Sequence, residues 1–268
     1  MLLGLTPLTA SQQNPTFYDA LRQVGLATSL GLVVDSGDIK SYTGSGQVFT
    51  DVSGNGINFN LGATSSSETS DPTFGGTAGR RSLSEVFTLD GADYFTLAAS
   101  NPPWVQSMHK DNALWSAAFW FNNATWANAL FGTLGSTTGN TGVRYGYDSL
   151  GRGTLYIRNA GNGPLTISST TVIVAGSWNF LGLSMNEALG VNGCLVNTNG
   201  TQESFTSTYS SPATGNATFT LQLGCGGNNL IPLANGSQIA CAAFWTSKAL
   251  THSEMESIRQ ITRARFKV

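Results

Sequence analysis

Six tryptophans are the side chains of this sequence best suited to recognition, because an indole face stacks on the C–H face of a sugar ring. They are Trp104, Trp115, Trp120, Trp126, Trp178 and Trp245. Trp104 follows Asn101-Pro-Pro103, and Trp126 follows Asn122-Asn-Ala-Thr125, so both are flanked by loop residues. These two are the expected exposed platforms, Trp126 ahead of Trp104. Asn122, Asn123 and Thr125 stand beside Trp126 as hydrogen-bonding neighbours for sugar hydroxyls.

Catalytic patterns are sparse. Glycoside hydrolysis needs two carboxylates across a cleft, about 5–5.5 Å apart for a retaining mechanism. On a strand such acids stand on alternate residues, which share a face. No Glu-x-Asp-x-Glu occurs among Glu68, Glu85, Glu187, Glu203, Glu254 and Glu256. A nucleophilic triad would have to use His109 or His252, and no serine sits in a G-x-S-x-G elbow. Both histidines are read as surface residues. Asp51-x-Ser53-x-Asn55-Gly56 has the look of a calcium loop, but the twelfth position, where a bidentate Glu is required, is Gly62. The expected role is an Asx/Gly turn, with a weak cation as the alternative. Cys194, Cys225 and Cys241 lack metal-ligand spacing and read as buried free thiols; a Cys225–Cys241 bridge is open in an oxidising compartment. No catalytic residue, metal or cofactor is therefore assigned, and the protein is expected not to be an enzyme.

These residues must be held by elements of a particular kind. Over 268 residues only 10% are charged, against about 25% in ordinary soluble domains. Lys+Arg is 13 and Asp+Glu 15, a net charge of −2, which argues against a nucleic-acid partner. A hydrophobic fraction of 40% suffices for a core, and no apolar run is long enough to insert in a membrane. The first residues are mildly apolar without a basic flank, so a secretory signal is not expected.

From Gly31 onward the chain alternates short apolar runs with turn signals such as Asn55-Gly56, Asn162-Gly163, Asn199-Gly200 and Asn235-Gly236. The expected strands are Gly31–Asp35, Ser84–Leu89, Tyr94–Leu97, Ser116–Phe121, Ala129–Leu134, Gly142–Tyr147, Thr154–Arg158, Thr166–Val174, Asn179–Met185, Gly193–Val196, Ala217–Leu223 and Gln238–Trp245. Such a rhythm predicts an all-β, two-sheet antiparallel sandwich with helices only near the termini. The Ser/Thr/Gly-rich stretch Gly62–Arg81 reads as a long exposed loop. Asn14-Pro15 reads as the start of a short helix, with Phe17, Leu21 and Val24 on one face. Thr251-His-Ser-Glu254 is a capping box opening a C-terminal helix, whose basic end reads as solvated. Two segments result: an N-terminal arm, residues 1–30, and a sandwich, 31–268, ending in that helix. The arm carries Leu2, Leu3, Leu5 and Leu8, and is expected to serve assembly rather than the core.

Several segments together resemble the concanavalin A-like, laminin-G-like jelly-roll domain found in bacteriophage tail and virion proteins. Gly31–Gly46 leading to Asp51-Val-Ser-Gly-Asn-Gly56 is similar to the opening of such modules. Phe87-Thr-Leu-Asp-Gly-Ala-Asp-Tyr-Phe95, Trp115-Ser-Ala-Ala-Phe-Trp-Phe121, Gly176-Ser-Trp178 with Val191-Asn-Gly193, and Leu221-Gln-Leu-Gly224 follow in family order. At the close, Ile239-Ala-Cys-Ala242 departs from the acid the family carries there, which removes a ligand of any family cation site. The resemblance implies that Trp120, Trp178 and Trp245 are core residues. It also implies a non-enzymatic virion structural protein, a capsid decoration or tail component, displaying a lectin-like module for a host-surface glycan or for particle reinforcement. Other virion proteins and a homo-oligomer, a trimer by preference, are the expected partners. The alternatives are a secreted or surface carbohydrate-binding module, or a glycoside hydrolase of the same fold.

Overall fold

The computed structural model describes residues 13–135 and 139–268. Leu2, Leu3, Leu5 and Leu8 lie outside the described residues. In chain order the strands are β1 Leu30–Asp35, β2 Val48–Phe49, β3 Phe59–Leu61, β4 Thr73–Phe74, β5 Phe87–Thr88, β6 Phe95–Leu97, β7 Leu114–Asn122 and β8 Ala129–Gly132. They continue as β9 Gly142–Tyr147, β10 Arg152–Asn159, β11 Asn162–Val172, β12 Trp178–Asn186, β13 Cys194–Thr198, β14 Thr201–Phe205, β15 Gln222–Leu223 and β16 Gln238–Thr246. The α-helices are α1 Phe17–Gln23, α2 Pro103–Ser107 and α3 His252–Phe266. One sheet has the order β14-β13-β12-β7-β16-β5-β4, with β1 also on β16; the other runs β11-β10-β9-β8-β15-β6-β3-β2. Together they form the expected jelly-roll sandwich of two antiparallel sheets.

Strand β7 shows why the first sheet is closed to solvent. Trp115, Ala117, Phe119 and Phe121 alternate into the core between the sheets. Ala118 and Trp120 point the opposite way and are buried equally deeply, in a second cluster. A strand buried on both faces reads as a continuous apolar run rather than an alternation. The outer cover comes from the helices: Phe17 and Leu21 of α1, and Met255, Ile258 and Phe266 of α3. Trp120 stacks on Phe266 with centroids 4.3 Å apart, and its indole N–H donates to Thr262 Oγ1 at 2.8 Å. Gly182 on β12 permits the close approach of α3, since a Cβ there would lie 2.6 Å from Met255 Sδ.

The capping box of α3 forms as read from the sequence. Thr251 Oγ1 accepts from the Glu254 backbone N–H at 3.2 Å, and Glu254 Oε2 accepts from Thr251 N–H at 2.8 Å. At α1 the start shifts: the N-cap is Thr16, not Asn14, because Thr16 Oγ1 accepts from Asp19 N–H. The Asn14 amide donates instead to Arg81 O at 3.0 Å. The described part of the arm also belongs to the domain, since Phe17, Ala20 and Leu21 are buried against the first sheet.

The basic end of α3 is not wholly solvated either. Arg265 lies inside, with Nη1 2.5 Å from Asp35 Oδ1 and Nη2 donating to Glu85 O at 3.0 Å. Asp35 in turn accepts from the first amide of α1, Phe17 N–H, at 2.8 Å.

Other differences are local. Strand β4 lies within the stretch read as loop, held by Phe74 against Tyr42 and Phe87. The runs at 84–89 and 217–223 contribute only the two-residue strands β5 and β15. Helix α2 lies far from either terminus. Asn199 and Gly200 both take positive φ in the β13–β14 hairpin, as expected, whereas the β10–β11 turn uses Ala160-Gly161 in place of Asn162-Gly163.

Candidate functional site

With helices over the first sheet, the outer face of the second is the one left to solvent. A register row crosses it. Asn60 lies opposite Thr96, Thr96 opposite Gln222, Gln222 opposite Gly132, Gly132 opposite Arg144, Arg144 opposite Tyr156, and Tyr156 opposite Thr166. The strand period of two turns their neighbours, such as Phe95, Tyr145 and Leu155, into the core. This row is polar, in contrast to the apolar outer face of the first sheet.

Part of the row is covered. Gln222 is buried under the turn at Gly227–Asn229: its amide donates to Asn229 Oδ1 at 2.6 Å and accepts from Asn229 N–H at 3.0 Å. Arg144, Tyr156 and Thr166 remain accessible. The Arg144 guanidinium carbon sits 4.6 Å from the Tyr156 ring centroid, and that of Arg158 5.6 Å. Partial burial lowers the pKa of Arg144, which nonetheless stays a cation.

Beside this stack lies a cavity of about 180 Å³ lined by Ala127, Arg144, Gly146, Asp148, Tyr156 and Ile231 among others. Ala127 and Ile231 take φ of 65° and 56°. For a β-branched residue that conformation is strained, and such strain gathers at binding loops. The strain is held by Ala129 N–H to Ile231 O at 2.8 Å and Ala127 N–H to Asp148 O at 3.2 Å. Burial tends to raise the pKa of Asp148, but the amides of Arg152 and Leu150 and the Arg152 side chain outweigh it and hold the carboxyl below its usual range.

Trp126 is next in the chain to Ala127, which lines the cavity. It is 41% exposed, and its indole lies on Gly151, in the turn that also carries Asp148; a Cβ at Gly151 would come 2.7 Å from Trp126 Nε1. Thr125 beside it is exposed. Asn123 is not available to a ligand, because it is fully buried, exchanging side-chain hydrogen bonds with Asn128 at 2.8 and 3.0 Å. It shapes the loop instead. Asn122 closes β7 opposite Trp178 and Gln238 and is half-buried. Trp104 is elsewhere. It is half-buried on Phe244 and lies beside Gly31 and Thr246, at the end of β16 away from Gln238. Nine residues of strand span roughly 26 Å, so the two indoles do not share a site.

The sequence reading missed Arg144, Asp148, Tyr156 and Arg158. Their signal is the polar alternate position of Gly142–Tyr147 and Arg152–Asn159, where Arg144, Tyr156 and Arg158 interleave with core residues.

His109, read as a surface residue, is fully buried, with Nε2 3.0 Å from Gly215 O; burial lowers its pKa, so the ring is neutral. Asp51 holds the turn expected of it. Its carboxylate accepts from the amides of Val33, Ser53 and Asn55 and from the Ser53 hydroxyl, tying the turn to β1. The three cysteines are free and buried.

Asp93 is an acid under tension. Burial, reinforced by Asp90 and Asp71, pushes its pKa to about 6. Between the model-compound value near 4 and about 6 the folded state binds more protons than the unfolded, so stability falls as pH rises through that window. Asp93→Asn is expected to stabilise the protein by about 1–2 kcal/mol at pH 8 and to flatten this fall. Urea titrations at pH 4, 6 and 8 check it; equal slopes in both proteins would refute it.

No family model and no curated protein matches the chain. Solved structures do resemble it. Domain 4 of AbnA, a GH43 extracellular arabinanase from Geobacillus stearothermophilus in complex with arabinotriose, aligns at TM-score 0.55 and 18% identity, covering 86% of this chain and 98% of that one. A Trypanosoma rangeli sialidase in complex with sialic acid aligns at 0.55 and 12%, covering 87% of this chain and 33% of the sialidase. A botulinum neurotoxin type C structure, titled for its interaction with two ganglioside molecules, aligns at 0.58 and 16%, covering 89% and 53%. The chain thus spans about a third of the sialidase and about half of the neurotoxin chain. At these identities the likeness establishes the fold: a jelly-roll β-sandwich, here with one sheet face roofed by helices and the other partly open and polar.

Proposed function

We propose that this protein is a non-enzymatic carbohydrate-binding module of a bacteriophage virion, and that its saccharide lies between Trp126 and the Arg144–Tyr156 stack. The convergence of an exposed indole, a strained loop and a small cavity with charged side chains in its lining on the open sheet face carries the reading. The sugars and gangliosides named with the structural neighbours support it. A non-catalytic role is supported by the state of the nearby acids. Asp148 is tied to Arg152. At Glu203 burial acts to raise the pKa, but bonds from Ser169, Thr170 and Thr171 outweigh it and hold the carboxylate at about 2.

The virion assignment is supported by the opening segment Gly31–Gly56 and by a Ser/Thr/Asn/Gly-rich, weakly charged composition. A capsid decoration or tail position, other virion proteins as partners and a symmetric homo-oligomer, a trimer, belong to the same proposal. Mass spectrometry of purified particles tests location, and light scattering tests oligomeric state.

For the site, Trp126→Ala is expected to weaken glycan binding about three- to tenfold while leaving the melting temperature unchanged. A glycan array followed by calorimetry measures it. Unchanged affinity removes Trp126 from the site, and an empty array leaves particle reinforcement as the role.

A further inference from the structure

We infer that the saccharide taken by this face is an acidic one, whose carboxylate is received by the guanidiniums of Arg144 and Arg158. The inference rests on the carbohydrate reading above and names the substrate class of the same site.

Arg158 is two residues from Tyr156 on β10, and Arg144 is directly opposite Tyr156 on β9, so all three side chains share the outer face. The guanidinium carbons of Arg144 and Arg158 lie 4.6 and 5.6 Å from the centroid of the same tyrosine ring. Contact with the ring and a hydrogen bond from Arg144 Nη1 to Gly135 O at 3.4 Å orient the guanidiniums, and their remaining N–H groups can face a planar anion. Gly226 and Gly132 wall Arg144: a Cβ at either would come 3.1 Å from its Cδ or 3.3 Å from its Cβ. The side chain is therefore held before any ligand arrives, which limits the ordering cost of binding.

The charge count points the same way. Arg152, Arg259 and Arg265 each pair with an acid, on Asp148, Glu256 and Asp35. Among the described residues Arg144 and Arg158 form no ion pair. The nearest acid lining the cavity, Asp148, is already neutralised by Arg152 and does not cancel them. A chain of net charge −2 thus presents two neighbouring, uncompensated cations on its open face. Arg144 is partly desolvated, so its charge gains more from an anion than a fully hydrated one would. A carboxylate bound there leaves the sugar ring to reach towards Trp126 across the cavity.

The test uses the full chain and matched ligands: galacturonate, glucuronate and sialyl oligosaccharides, each against its own methyl ester, by calorimetry. The expected result is an acid that binds at least about tenfold tighter than its ester, a preference that shrinks as salt rises. Arg158→Gln and Arg144→Gln are each expected to cut acid affinity about tenfold and ester affinity no more than about twofold. Arg144→Lys, keeping the charge without the planar fork, is expected to fall between. Equal binding of acid and ester, with Trp126→Ala still weakening both, overturns the inference and leaves the carbohydrate reading standing. Displacement of the acid by inorganic phosphate at equal concentration overturns it in favour of a general anion site. Binding of no saccharide, acidic or neutral, overturns both.

Discussion

Arg265→Ala is expected to cost about 3–5 kcal/mol of folding stability, a large part of the ~5–15 kcal/mol of an ordinary domain. The reason is where its partner is left. Asp35 is completely buried and accepts from Arg265 Nη1, from Phe17 N–H and from Gly37 N–H. Removing the guanidinium strands a carboxylate in the seam between β1, α1 and α3, and takes away one of the two donors to the Glu85 carbonyl, the other being the Ser36 hydroxyl. The reverse change, Asp35→Asn, keeps an acceptor for only one of the two amides, which use different carboxylate oxygens, and leaves the buried Arg265 guanidinium without a counter-ion, so it too is expected to cost several kcal/mol, about 3–5. Replacing both partners with apolar residues of similar volume is expected to cost less than either single break, because no unpaired charge remains. Urea denaturation of the three variants measures the order. An Arg265→Ala protein within about 1 kcal/mol of wild type would show that the pair contributes little.

A chain beginning at Leu32 is expected to be unfolded or aggregated. The described arm supplies Phe17, Leu21, Leu26 and Leu30 to the cluster over the first sheet. Each such side chain gains about 1.5–3 kcal/mol by burial, a total comparable to the net stability of a whole domain. Its loss would also deprive the buried Trp245 indole N–H of its acceptor, Leu26 O, at 2.7 Å. The expectation of a dispensable arm is thereby corrected for residues 17–30. A chain beginning at Gln13 keeps all of these contacts and is expected to fold. Near-ultraviolet circular dichroism and a thermal melt distinguish the two, and a folded, soluble chain from Leu32 would overturn the packing argument.

How far the sequence carries can be followed residue by residue. The Thr251–Glu254 box and the Asn199-Gly200 turn were legible because their physics is local: a side chain bonds an amide three residues away, or an Asx-Gly pair accepts positive φ. Strand β9 was legible end to end for a similar reason, since its alternation is a property of the strand alone. Asp51 was legible as a turn for the same reason, its acceptors being filled largely by the next few amides. The two-sheet sandwich class followed from the number and spacing of such strands, and the jelly roll from the resemblance of its segments to a known family.

What tertiary structure decided is which surfaces meet. Asp35 and Arg265 are far apart in the chain, and neither shows in its own neighbourhood that it will be buried against the other. The roles of Asn123 and Trp104 turned on loop closure, not on their flanking residues. Asn123 is consumed by Asn128, and Trp104 was carried to the end of β16 away from Trp126. Arg144 and Tyr156 became neighbours through the register of β9 on β10, and their face became the open one because α1 and α3 roof the other sheet. Local composition and spacing determined the elements and the fold class, since those depend on interactions a few residues long. The location and charge of the candidate site depended on strand register and on helix placement, which are set by contacts between segments remote in sequence.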